Sequence, residues 1–278
     1  MASSTTSTLD DLFTNIIAEA TFTAQEQSLV RNLVTNYSLA GDSGKTIQVP
    51  IYPAVSAAAL TEGSDMSSTA VSTSNVSITV AEVGVQAVLT DLAAQSSARD
   101  VAGDLGRVLG EGIAKKMDED LIALFDGFST SFGSTTTELT AADIFKAAAT
   151  LRANNAIGSP VAVIHPYQAY NLKANLTNTF ANPNGGDAQN AAMRSGYVGT
   201  LAGVDIYESA NITIDGSGDS KGAMFVPAAL GLALKWDIKI EPQRDASIRG
   251  WELNATAAYG VGELQDSMGC ELYFDAGL

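Results

Sequence analysis

The stretch from Asp91 to Phe128 limits the fold more than any other, and from Asp100 onward it reads as one long helix. Apolar residues return there at Val101, Leu105, Leu109, Ile113, Met117, Leu121, Leu124, Phe125 and Phe128, steps of three or four that keep a stripe on one face. Asp104, Arg107, Glu111, Lys115 and Glu119 alternate in sign on the other faces, and Glu111 stands four residues before Lys115 in the favourable orientation for an ion pair. At about 1.5 Å per residue the helix spans on the order of 40 Å, beyond the usual globular length. Gly103, Gly106, Gly110 and Gly112 interrupt it, each costing about 1 kcal/mol against alanine. Two readings stay open: weakness that tertiary packing tolerates, or close crossings by other backbones.

Around this spar the chain orders itself simply. Met1 to Thr8 is a Ser/Thr tail, and Leu9 to Ala20 an amphipathic helix with Leu12, Phe13 and Ile16 on its apolar face. Ile47, Val49 and Ile51 alternate with polar residues as a strand, with Pro50 suggesting an edge, and Val76, Ile78 and Val80 form a second such run. The Ser/Thr/Ala stretch between them, with Glu62, Gly63 and Asp65 near its middle, is expected to be the tip of a long projecting hairpin. An isolated hairpin is marginal in water, so its apolar side is expected to meet a second copy of the chain.

Beyond the long helix, Ser129 to Thr137 reads as a loop and Thr140 to Asn154 as a helix with Asp143 at the capping-box position. Val161 to His165 is a short apolar run between prolines, hence a buried strand, and Pro166 opens another helix. Asn182 to Gly186 reads as a loop within a mobile stretch reaching Ser195. From Gly196 the character is β, with strands at Val204 to Tyr207, Ala223 to Val226, Leu230 to Leu234, Ile238 to Ile240, Leu253 to Tyr259 and Leu272 to Phe274.

Composition removes whole classes of chemistry. The 278 residues carry a net charge of -16, against tight phosphate binding, which needs clustered Lys and Arg. One cysteine, Cys270, forbids an intrachain disulfide, and one histidine, His165, removes most metal sites and most nucleophile–histidine pairs. No signal peptide or membrane span is expected, so the reading is a soluble protein made in the cytoplasm. His165, in an apolar strand before a proline, reads as a buried, satisfied side chain rather than a general base. Asp118, Glu119, Asp120 and Asp126 read as a solvated face, and Asp215 to Asp219 as a surface turn, since it lacks a calcium loop's spacing and closing glutamate. No catalytic, cofactor-binding or metal-binding residues emerge.

The order of elements then resembles a family. Val88-Leu89-Thr90-Asp91-Leu92-Ala93 before the spar, Val163-Ile164-His165-Pro166 before a helix, Leu201 to Ser209, and Asp245-Ala246-Ser247-Ile248-Arg249 before a strand ending Tyr259-Gly260-Val261-Gly262 look like a tailed-bacteriophage major capsid protein of the HK97 fold. The resemblance implies an α+β chain with an N-terminal arm (1–45), an extended β-hairpin loop (46–84), a peripheral domain with the spine helix (85–139), a mixed α/β axial domain (140–240) and C-terminal strands returning to the peripheral domain (241–278). It implies a structural protein, not an enzyme, that self-assembles as pentamers and hexamers into an icosahedral shell in the virion, built in the host cytoplasm. The shell would enclose DNA without reading its sequence and touch no membrane.

A separate scaffolding protein, a portal and a decoration protein are the implied partners. Because the hairpin carries only Lys45, at its base, no covalent crosslink is expected. Inter-subunit contacts are expected from Leu12, Phe13, Ile16, Ile47, Val49, Ile51, Glu62, Asp65, Val76, Ile78, Arg244 and Arg249, and serine at Ile47, Val49 and Ile51 is expected to leave a folded monomer that cannot assemble. The alternatives are an encapsulin-like cellular nanocompartment shell and a small-molecule enzyme of the α+β class.

Overall fold

The computed structural model describes residues 29–39, 41, 44–52, 55, 57–63, 65–66, 68, 70–92, 101–179 and 199–277. The expected helix at Leu9 to Ala20, the start of the spar before Val101 and the loop at Asn182 to Ser195 lie outside them. In chain order the elements are a 3-10 turn Val30–Leu33, β1 (Thr35–Ser38), β2 (Thr46–Ile51), β3 (Ser74–Thr79), β4 (Ala81–Thr90), α1 (Val101–Ile122) with a closing 3-10 turn Ala123–Gly127, and β5 (Ser131–Phe132). There follow α2 (Ala141–Ala153), β6 (Val161–Ile164), α3 (Pro166–Thr179), β7 (Gly199–Leu201), β8 (Val204–Glu208), β9 (Asp219–Phe225), β10 (Leu230–Asp245), β11 (Gly250–Glu263) and β12 (Gly269–Asp275).

Helix α1 is the expected spar, and its 22 residues span about 33 Å. Leu109, Ile113, Met117 and Leu121, each four apart, are buried, while Lys115 and Lys116 pair with Glu119 (3.7 Å) and Asp120 (2.6 Å) on the outer side. The glycines divide. Gly106 and Gly110 are buried, whereas Gly112 is exposed with open space where a Cβ would stand, so no close crossing explains it. Asp118 corrects the solvated-face reading: it is buried and accepts the Leu29 backbone N–H at 3.1 Å. Four residues per step brings position 118 beside the buried stripe, where the incoming N-terminal segment crosses the helix.

Among the described residues the strands form three sheets. One has the order β1-β10-β11-β4, another β5-β12-β9-β6-β8-β7, and the hairpin β2-β3 stands as a third. Strand β6 is continuous in apolar residues because both faces are covered: Val161 and Val163 face the core under α1, Ala162 and Ile164 the core under α2 and α3. The first core also takes Leu230, Leu232, Leu253, Ala255 and Tyr259 from the four-stranded sheet, so one apolar interior joins both sheets through the spar. Phe125 and Phe225, with ring centroids 5.5 Å apart, sit at this junction.

Several expectations shift. The runs at Leu230 to Leu234 and Ile238 to Ile240 are one strand, β10, with register shifts on either side of Trp236. A division at residue 240 therefore falls inside a strand of the four-stranded sheet, and β12 returns to the six-stranded sheet rather than to that of β10 and β11. The Ser129 to Thr137 loop contains β5, parallel to β12. Strands β1 and β4 add to the expected set, and Val83, Val85, Ala87 and Leu89 alternate along β4.

Other readings hold. Asp143 Oδ2 accepts from the Thr140 backbone N–H (3.1 Å) and hydroxyl (2.6 Å) and so caps α2. His165 is buried, its Nδ1 accepts the Tyr167 N–H at 3.1 Å, and burial lowers its pKa, so it stays neutral. Cys270 is buried, with its thiol pushed up to about 12 by desolvation, too high to be a nucleophile.

Candidate assembly surfaces

A two-stranded hairpin has too little surface to hold itself, so its attachment decides where it points. Register pairs Ile47 with Ile78 and Val49 with Val76, which puts the apolar residues of both strands on one face. Ile78 is 1% exposed and fills a slot whose walls are backbone. A methyl built on Gly231, Gly260 or Gly262 would stand 3.0, 3.1 or 2.9 Å from an Ile78 side-chain carbon, so glycine at these places on β10 and β11 makes the slot. Leu39, Val80, Ala233, Ala258 and Leu264 close it, with Ile47, Val49 and Val76 half-buried against it. Thr46 and Thr79 hydroxyls meet across the root at 3.2 Å, and the Val80 N–H donates to the Lys45 carbonyl at 2.7 Å.

This corrects the expectation for the root. Ile78 is consumed inside its own chain and offers nothing to a neighbour, and Ile47, Val49 and Val76 pack chiefly on their own sheet. Further out the hairpin is different. Tyr52, Val55, Leu60, Met66 and Val71 are exposed, Leu60 at 67% and Met66 at 74%, near the exposed Glu62 and Asp65. These large apolar side chains stand between the strands without the period-two alternation that marks a strand, so no local pattern signals them.

Arg244 and Arg249 flank the β10–β11 turn. Arg244 grips Asp91 with two hydrogen bonds of 2.6 and 2.7 Å, holds that carboxyl below its usual range and lies 5.6 Å from the Trp251 ring centre. Arg244 thus braces its own chain while its side chain stays exposed. Arg249 is exposed in a left-handed conformation, φ 52°, and its carbonyl accepts the Asp91 N–H at 3.0 Å. Asp245 braces this turn by accepting from the Ser247 N–H and hydroxyl at 2.8 and 2.6 Å. The turn is therefore tied to the end of β4, where Val88 and Leu92 are exposed.

The start of the described chain is fastened just as firmly. Arg31 reaches both Asp237 oxygens at 3.3 and 2.8 Å, and β1 joins β10 in parallel. Together with the bond from Leu29 to Asp118, this anchors the described chain from its first residue; Leu12, Phe13 and Ile16 lie outside the described residues. Ile51, at the end of β2, is half-buried. No helix among the described residues is long and apolar enough to cross a membrane.

A family profile described as phage capsid protein matches residues 73–270. No curated protein matches the sequence. Solved structures similar in fold include the capsid of cyanophage P-SCSP1u, with 18% identity over 89% of this chain and 88% of that one and a TM-score of 0.70. A Mycobacterium phage Che8 structure matches with 20% identity, 90% and 91% coverage and a TM-score of 0.70. The head of Helicobacter pylori bacteriophage KHP40 matches with 13% identity, 90% and 92% coverage and a TM-score of 0.71.

Proposed function

The chain belongs to the phage capsid protein family and is a structural protein of the virion shell with the HK97 fold; from that premise we propose that the outer part of the β2–β3 hairpin is what ties one subunit to the next. The observation that carries this is a hairpin locked at its root by Ile78 and bearing large apolar side chains in water beyond it. A soluble monomer gains nothing from Leu60 and Met66 in solvent, whereas a shell covers them with a second copy. The N-terminal arm, with Leu12, Phe13 and Ile16, acts as a second tie between subunits.

In this reading β1, β4, β10 and β11 with the spine helix make the peripheral part, and the six-stranded sheet with α2 and α3 makes the axial part. Subunits gather as pentamers and hexamers in the host cytoplasm, guided by a separate scaffolding protein around a portal. The charge of -16 leaves the wall unable to hold packaged DNA tightly. The chain carries out no catalysis of its own.

Replacing Leu60 and Met66 together with serine tests the hairpin. Both are exposed, so the melting temperature of the free subunit stays within about 1 °C, as for ordinary surface changes, while electron microscopy after co-expression with the scaffolding protein shows few or no closed shells. Shells in normal yield would overturn the proposal. Serine at Ile47, Val49 and Ile51 is a poorer test, because two of those side chains also support the Ile78 slot.

A further inference from the structure

Asp219 opens β9 directly opposite Asp275 at the end of β12. Side chains so placed have Cβ atoms about 5 Å apart, and like charges there repel. Asp219 is 1% exposed, and both of its carboxylate oxygens are buried without a hydrogen-bond partner. Desolvation, Asp215 and Asp275 each raise its pKa. Asp215 itself is held as an anion, below the usual carboxylate range, by the N–H groups of Asp219 (3.0 Å) and Ser217 (2.8 Å) and by the Tyr273 hydroxyl (3.1 Å).

The ammonium on the same strand does not relieve this charge. Lys221, two residues along, is committed to Asp126 and, at 3.5 Å, to Glu271. A buried carboxylate with no partner and two acidic neighbours is costly unless something positive joins it.

We propose that Asp219 and Asp275 together bind a divalent, oxygen-seeking cation, calcium or magnesium, beside the 215–219 turn. Both Asp219 oxygens are covered, so the end of a lysine or arginine from a neighbouring subunit is too bulky to reach them, whereas a small ion is not. Carboxylate oxygens without nitrogen or sulfur donors select hard cations. Among the described residues no three such side chains already converge as a full ligand set, so the protein supplies two carboxylates and water completes the shell, an arrangement magnesium commonly takes. The ion clips the first residue of β9 to the last of β12 and turns a repelling pair into a bridge. Shell subunits then melt at a temperature that depends on divalent cations, independently of the hairpin contacts.

The test uses the full chain, stripped with a chelator, at constant ionic strength. Added calcium or magnesium chloride at about a hundred times the dissociation constant raises the melting temperature of the unaltered protein by about 5 °C, Asp219→Asn abolishes the rise, and Asp65→Asn on the exposed hairpin keeps it. Terbium, a calcium substitute excited through the nearby Tyr273, gives saturable emission that calcium competes away and that Asp275→Asn removes; this second reading stands if Asp219→Asn fails to fold. No rise in the unaltered protein, or an equal rise in Asp219→Asn, or terbium emission indifferent to Asp275→Asn, would overturn the site.

Discussion

Cutting Ile78 back to alanine removes three carbons from a slot walled by the backbone of Gly231, Gly260 and Gly262. Walls of side chains relax into a vacated space, but these belong to two paired strands, β10 and β11, held by their own ladder. The cavity therefore stays open, and the cost lies in the upper half of the usual range for such truncations, about 4 kcal/mol. In a chain of this size each kcal/mol moves the melting temperature by about 2–4 °C, so calorimetry of the unassembled Ile78→Ala subunit shows a fall of about 10 °C. Amide exchange along β2 and β3 accelerates with it, since the hairpin has lost its anchor.

The slot also predicts a rescue. Gly262→Ala alone overpacks, its methyl standing 2.9 Å from Ile78 Cγ1, and costs about 1–3 kcal/mol. Combined with Ile78→Ala, that methyl enters the space the isoleucine left, so the double variant is more stable than the sum of the singles by about 1 kcal/mol or more. A fall under about 2 °C for Ile78→Ala, or strict additivity in the pair, would refute the assignment of Ile78 as anchor.

Three further outcomes follow from the geometry. His165 has a folded pKa below 6.5 because burial disfavours its charge, so its contribution is present above pH 6.5 and is lost as pH falls below that value, where the unfolded chain alone takes the proton; in His165→Gln the melting temperature between pH 7 and 5 falls less steeply than in the parent. Tyr259→Phe removes the 2.7 Å bond to Asp120, a carboxylate that keeps Lys116, and urea unfolding registers a loss of about 1.5 kcal/mol with an unchanged slope. Asp143→Ala leaves the Thr140 N–H and hydroxyl without their carboxylate acceptor and costs about 1 kcal/mol by the same measurement.

Legibility followed the range of the forces involved. The spar was readable because the steps from Leu105 to Leu121 record a buried stripe, and β6 because an apolar run between Pro160 and Pro166 has nowhere to go but inside. The burial of His165 was readable from the same run. The hairpin was visible in the alternation of Ile47 to Ile51 and Val76 to Val80, but Ile78 looks like Ile47 in sequence, and nothing local says that one enters a glycine slot 150 residues and more away along the chain. Asp118 likewise resembles Asp120 in the string of residues; only the crossing of Leu29 over the helix buries the one, while the other stays half-buried between Tyr259 and Lys116.

What the sequence by itself determined is therefore periodic and local: a long amphipathic helix, capped short helices, and strands with one or two covered faces in an acidic chain. Tertiary structure alone decided the partners of those elements. It put β12 beside β9 and β10 beside β11, closed Gly231, Gly260 and Gly262 around Ile78, paired Arg244 with Asp91, and set Asp219 against Asp275. Pairing of strands far apart in the chain is chosen by the total burial of all faces at once, and that quantity is not written in any short stretch of residues.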